Sequence, residues 1–256
     1  MTESTVDSDF ILKTKFIPTE ITGINGSPFV DFTTSCNFDF EKMDEEICMG
    51  LATTNLDKLP MVGGVIPPKL REREIDGEFE PSILANYSGD KSVFSKMSPM
   101  EIRKYLFFKH KNVVPWYFIL DLKPNVFKTK TQDLYPWADI IEKFQYTKQC
   151  IEELPFKEIG RVVIYGSWTE ARVPCHRDQL MTGNFDHHIN FNPGGYRPIY
   201  VYDSLNDKKV FLPKDYKLYA YNTSDYHGVD PLPHFSYTIR VDGVYNEKGL
   251  NLIPKG

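Results

Sequence analysis

The chain has no apolar run approaching ~18 residues, so it carries no candidate membrane-spanning helix. It has four cysteines in 256 residues: Cys36, Cys48, Cys150 and Cys175. None forms a C-x-x-C pair, and four are too few to staple a chain of this length, so reduced thiols and a cytoplasmic location are expected. There is no block of like charge. The densest stretch, "KLREREIDGEFE" (69–80), mixes signs, as a solvated surface does. A net charge of −5 and a pI near 5.7 leave no basic footprint for phosphates, which excludes nucleic acid as an expected partner. The stretch "MTESTVDSDF" has neither a basic n-region nor an apolar h-region, so no secretory signal is expected. No internal repeat and no low-complexity linker occur. No G-x-S-x-G is present, and "YGSW" (165–168) does not supply one, which removes the hydrolase nucleophile elbow.

What is present is a globular composition, 41% hydrophobic and 25% charged, in a chain long enough to bury a sizeable core. Helical signals concentrate in the first part. "SPMEIRKYLFFKH" (98–110) has Ser98 as N-cap, Pro99 at the first helical position and Glu101 completing a capping box. "PWADIIEKFQYTKQCIEEL" (136–154) predicts one long helix between two prolines. Phe40, Met43, Ile47 and Leu51 recur at helical spacing in a third candidate. Between them, 59–89 is irregular and rich in proline and glycine. From Gly160 onward the pattern is strands and turns. Strands are expected at 161–167, 185–191, 198–202, 208–212, 217–221 and 235–241, punctuated by Asn-Pro-Gly-Gly (192–195) and Leu-Asn-Asp (205–207). Six short strands at this spacing predict a sandwich or barrel. One domain is expected over 1–256, with 1–158 a helical and irregular part covering a β core at 159–245.

Four of the six histidines lie between Val173 and His227. "VPCHRDQLMTGNFDHHINF" (173–191) contains His176-Arg177-Asp178, which has the letters of a kinase catalytic loop. That loop needs Asn five residues after its Asp, and position 183 is Gly; Asn184 is one too far. No glycine-rich loop and no D-F-G accompany it. In an extended segment residues i and i+2 point the same way, so His176 and Asp178 can present an imidazole and a carboxylate to one point. By chance alone such a pair arises roughly 0.8 times in a chain of this composition, so the context carries the weight. His227 follows 49 residues after Asp178, and Arg240 lies 13 residues further on, in "FSYTIRVDG". Alternation there puts Ser236, Thr238 and Arg240 on one face, opposite Phe235, Tyr237 and Ile239, which suits a polar pocket lined by a buried cation. Two histidines and a carboxylate suit a non-heme Fe(II) centre with open positions. A zinc ion with the same three ligands and water is also compatible. Arg240 favours iron, because a guanidinium can clamp the remote carboxylate of a co-substrate.

H-x-D, about fifty residues, H, then a basic residue one strand later resembles the Fe(II)/2-oxoglutarate-dependent oxygenase family, over about 160–245. The resemblance implies a double-stranded β-helix (jelly roll, cupin-like) with covering helices. It implies that His176, Asp178 and His227 hold Fe(II), and that Arg240 binds the distal carboxylate of 2-oxoglutarate. His188, 12 residues after His176, is similar in place to the histidine that contacts 2-oxoglutarate in the aspartyl/asparaginyl β-hydroxylase-like branch. The chain departs from that branch in having Asp178 as a ligand and Asp186 where the branch has Arg. The implied activity is a dioxygenase reaction with O2 that hydroxylates an unactivated C–H bond and releases succinate and CO2. A small amino acid-like substrate is expected, because Arg172 and Arg177, with Trp168 beside them, flank the motif and can hold a carboxylate. A zinc hydrolase or isomerase, and a ligand-binding barrel without catalysis, are the alternatives. His187 and His234 are expected to be structural. His110, at a helix C-terminus, needs no chemistry.

Overall fold

The computed structural model describes residues 27–54, 61–63, 94–103, 115–124, 136–167, 173–176, 187–195, 197–203, 206–223 and 225–253; side chains at 61–63, 115–117, 174 and 176 lie outside that description. In chain order the elements are β1 (Phe29–Asp31), α1 (Phe40–Ala52), β2 (Met61–Gly63), β3 (Pro115–Lys123), a 3-10 turn (Asp139–Lys143), α2 (Gln145–Glu152), β4 (Phe156–Ser167), β5 (Val173–His176), β6 (His187–Phe191), β7 (Ile199–Asp203), β8 (Lys208–Phe211), β9 (Leu218–Tyr221), β10 (His227–Val229), β11 (Ser236–Tyr245) and α3 (Glu247–Leu252).

Two antiparallel sheets result. The larger runs β1-β9-β6-β11-β4-β3-β2 and the smaller β5-β10-β7-β8. From β4 onward the chain visits the sheets in the order larger, smaller, larger, smaller, smaller, larger, smaller, larger. Eight strands so wound, four per layer, are a double-stranded β-helix, the jelly roll expected. The tight turns sit at the punctuating residues. Gly195 takes φ +66 and donates to the Asn192 carbonyl at 2.9 Å, closing the Asn-Pro-Gly-Gly turn with a left-handed residue. Asp207, at φ 50, is a second left-handed residue, in the turn before β8.

The larger sheet has two unlike faces. Cross-strand partners in an antiparallel pair point to the same side. Val162, Ile164, Ile189, Phe191, Ile239 and Val241 therefore share the outer face, and all are fully buried. Helix α1 covers it. Asp39 caps α1 by accepting from the Lys42 N–H at 3.0 Å, and Met43, Ile47, Cys48 and Leu51 face inward with no exposed surface. Beneath α1 lies a buried ion pair. Arg103 donates Nη1 to Asp44 Oδ2 at 2.9 Å and Nη2 to Oδ1, and Tyr237 on β11 donates its hydroxyl to Asp44 at 2.6 Å. These donors meet both oxygens of a carboxylate that has little access to water. The capping box at Ser98 is present: the Ser98 N–H meets Glu101 Oε2 at 2.7 Å and the Glu101 N–H meets Ser98 Oγ at 3.3 Å. The helix it opens is described to residue 103; the rest of the expected 98–110 lies outside the described residues.

Two sequence expectations are corrected. The long helix at 136–154 is two pieces, broken at Phe144 (φ −135, ψ 45), whose ring is buried against Gly50 of α1. The new N-terminus is capped from outside. The Glu46 carboxylate accepts the Tyr146 and Thr147 N–H groups, each at 2.8 Å, and the Thr147 hydroxyl at 2.7 Å. The part before Gly160 also contributes more than helices, because β1, β2 and β3 extend the larger sheet at both edges.

Candidate metal centre

The smaller sheet brings the two widely separated histidines of the motif together. β5 ends on His176, and its Cα partner on β10 is His227. Directly opposed residues in an antiparallel pair have Cβ atoms about 4.5–5.5 Å apart on the same face. Neither β5 nor β10 stands among the strands expected from sequence; each is only three or four residues long. The His176 side chain lies outside the described residues, as do Asp178, Trp168, Arg172, Arg177 and His110. Among the described residues, no three His, Cys, Asp or Glu side chains converge on one point.

His227 is 5% exposed, and its Nδ1 lies 2.8 Å from the Asp225 carbonyl oxygen. A carbonyl only accepts, so Nδ1 carries the proton and, in the neutral ring, Nε2 carries the lone pair. A hydrogen bond from the other ring nitrogen to a backbone carbonyl is the usual support of a metal-binding imidazole. Tyr221 orients the ring further, edge-on at 5.2 Å, and also meets the His188 ring at 5.4 Å. Tyr221 thus links the larger sheet to the smaller. Burial raises the neighbouring Asp225 carboxyl to about 7.

His188 is 4% exposed. Burial first, then the positive field of Arg240, hold it well below the usual histidine range, so it is neutral at physiological pH. Its neighbour His187 faces the other way. That ring stacks on Tyr245 at 4.4 Å and its Nδ1 accepts the Tyr245 N–H at 3.2 Å, a structural role as expected. His234 lies in the turn before β11; burial and then Arg103 lower its pKa.

The inner face of the larger sheet is polar. Arg240 pairs in register with Val163 and Asn190, Thr238 with Tyr165, Asp242 with His188, and Asn190 with Tyr219. The alternation expected for β11 is present: Ser236, Thr238 and Arg240 line the interior, while Tyr237 and Ile239 face the helices. Arg240 donates Nε to Asp242 Oδ1 at 2.7 Å, an ion pair within its own strand. Thr238 donates to the Phe191 carbonyl at 2.8 Å and lies 3.5 Å from the Tyr219 hydroxyl.

No protein-family model and no curated protein matches the chain. Among solved structures, it is similar to a prolyl hydroxylase in complex with a hypoxia inducible factor oxygen degradation domain peptide fragment from Trichoplax adhaerens. The TM-score is 0.42 and the identity 10%, over 98% of this chain and 99% of that one. AviO1 from Streptomyces viridochromogenes Tue57 gives a TM-score of 0.29 at 12% identity, over 81% of this chain and 95% of that one. The fold stated above follows from the strand order itself.

Three interior residues escape sequence reasoning. Arg197 is 5% exposed and donates Nη1 to the Tyr165 carbonyl at 3.1 Å. Tyr219 is fully buried, with a phenol raised by burial and lowered by Thr238, Arg197 and Arg240. Asn190 is 4% exposed, and its Nδ2 has no hydrogen-bond partner among the described residues. Asn190 was within reach of the sequence, since it alternates with His188. Arg197 carried no signal, because its burial is made by strands distant in the chain.

Proposed function

We propose that the chain is a non-heme Fe(II)- and 2-oxoglutarate-dependent oxygenase that hydroxylates an unactivated C–H bond of a small amino acid-like substrate. The observation that carries this reading is the register of His176 against His227, with the His227 Nδ1 proton engaged by a backbone carbonyl, beside an inner sheet face that carries the half-buried Arg240. The donor set fits iron: two imidazoles from adjacent strands and one carboxylate, Asp178, two residues beyond His176. When bound, iron and 2-oxoglutarate supply the oxidising power: the oxo acid and O2 give succinate and CO2, and one oxygen atom goes to the substrate C–H.

The protein's part is orientation, charge and exclusion of water. His176, Asp178 and His227 hold the metal. The Asp225 carbonyl fixes the His227 tautomer, so that Nε2 is the ligating nitrogen. Arg240 supplies positive charge toward the distal carboxylate of the oxo acid. His188, neutral and buried, offers that molecule a hydrogen bond without a competing charge. Arg172, Arg177 and Trp168 are assigned to the substrate, whose carboxylate the guanidinium groups would hold. A reducing, cytoplasmic setting agrees with the four unbridged cysteines. No helix among the described residues is long and apolar enough to cross a membrane.

The test is succinate release from 2-oxoglutarate by anaerobically purified protein reconstituted with Fe(II) and exposed to O2, with a panel of free amino acids and short peptides. Release stimulated by one amino acid and lost in Asp178→Ala supports the reading. Zinc retained through purification, with no succinate under any condition, would replace it with hydrolytic or isomerase chemistry on the same three ligands.

A further inference from the structure

Strand β1 lies outside the eight strands of the jelly roll and pairs with β9 at the edge of the larger sheet. Its first residue reaches the site. Phe29 is the register partner of Tyr221, and Val30 is that of Ala220. Opposed residues of an antiparallel pair share a face, and successive residues alternate. Phe29 therefore points inward with Tyr221, while Val30 and Ala220 point to the outer face. The Phe29 ring is 4% exposed and meets Tyr221 edge-on at 5.8 Å and Tyr219 at 6.1 Å. Tyr219 stacks on Tyr221 at 6.3 Å. Tyr221, 5% exposed, is thus held from its own strand and from β1, and it meets His227 at 5.2 Å and His188 at 5.4 Å.

Both imidazoles gain from such a wall. The terminal torsion of a histidine is broad, so a hydrogen bond at Nδ1 taken alone lets the ring rock about that bond. An edge-to-face contact with a fixed aromatic ring limits the rocking and has a preferred geometry. We propose that Tyr221, braced by Phe29, is a positioning residue that sets the ring planes of His227 and His188 together, so that a strand outside the jelly roll governs how tightly the metal is held. This rests on the proposed reading of His227 as a metal ligand. Tyr221 acts through the two histidines and needs no contact of its own with metal or substrate.

The experiment measures equilibrium Mn(II) binding, with no turnover, to wild type, Tyr221→Phe, Tyr221→Leu, Phe29→Ala, the double variant Phe29→Ala/Tyr221→Leu, and Val30→Ala. Tyr221→Leu should weaken Mn(II) about tenfold, as loss of an outer support of a metal ligand does, and Phe29→Ala by about three- to tenfold. Tyr221→Phe keeps the ring and should stay within about twofold, and the double variant should bind no more weakly than Tyr221→Leu, because Phe29 acts through Tyr221. Val30→Ala removes packing from the same strand on the opposite face, so its Tm should fall while its Mn(II) affinity does not. A second readout needs no metal: proton–nitrogen NMR of the His227 ring should show faster exchange of the Nδ1 proton in Tyr221→Leu and Phe29→Ala than in wild type and Val30→Ala. If Tyr221→Leu does not fold, the contrast of Phe29→Ala with Val30→Ala carries the test. A wild type that binds Mn(II), with Phe29→Ala no weaker than Val30→Ala and the same proton exchange in both, would overturn the brace and leave the metal reading standing. A wild type that binds no Mn(II) would overturn the metal reading and the proposal with it.

Discussion

Replacing Asp44 by alanine should be the most damaging single change in the covering layer. Asp44 lies on α1, is 6% exposed, and accepts two hydrogen bonds from Arg103, one from Tyr237 and, at 4.0 Å, one from the Cys48 thiol. Arg103 is 1% exposed, so the variant leaves a guanidinium in the core without its carboxylate. Breaking one side of a buried pair costs about 3–5 kcal/mol. For a protein of this size that lowers Tm by roughly 6–20 °C. The damage should also reach the site, because Tyr237 belongs to the strand whose opposite face carries Thr238 and Arg240. The assay is thermal and urea unfolding of wild type, Asp44→Ala, and the double variant Asp44→Leu/Arg103→Met. The double variant removes both charges and fills the volume, so it should recover much of the loss, a non-additivity that an exposed pair would not show. A Tm drop under about 2 °C for Asp44→Ala, the size expected of a surface pair, would refute the reasoning.

Glu46→Ala removes the carboxylate that caps α2 from α1 and should cost about 1–3 kcal/mol in urea unfolding, with Glu46→Gln losing less because the amide oxygen still accepts. His234 has a folded-state pKa lowered from 6.5 by burial and Arg103, so the unfolded chain binds the proton more tightly. Its contribution is therefore present above pH 6.5 and is lost as pH falls through the lower folded value; His234→Gln should flatten the decline of Tm on the acid side of 6.5. Asp178→Ala should weaken Fe(II) binding measured anaerobically and abolish succinate release; unchanged turnover would remove Asp178 from the metal centre. His188→Ala should weaken 2-oxoglutarate while leaving metal affinity unaltered, read by equilibrium binding to protein loaded with Mn(II) in place of Fe(II).

The β core was legible because its strands are locally consistent. "RVVIYGS" and "FSYTIRVDG" alternate, are β-branched or aromatic, and end in turn residues, and the polar face of the second is the interior face found. The capping box at Ser98 and the apolar stripe of α1 were legible for the same local reason. What failed depends on distant partners. The break at Phe144 has no sequence signal, since the cap that makes a second N-terminus affordable is Glu46, 100 residues earlier than Tyr146. The strand Pro115–Lys123 was missed because "PWYFILDLK" is nearly continuous in apolar residues and shows no period of two. Strands β5 and β10 are too short to show a pattern, yet their pairing is what sets His176 opposite His227. Arg197 shows no pattern of its own in the sequence; the Tyr165 carbonyl it bonds lies 32 residues earlier.

The most direct measurement is an anaerobic titration of metal-free protein with Fe(II) and then 2-oxoglutarate, followed by visible absorption. The account predicts a metal-to-ligand charge-transfer band on addition of 2-oxoglutarate, absent in His227→Ala. Fe(II) binding with no band would contradict the co-substrate assignment, and no Fe(II) binding at all would contradict the metal centre.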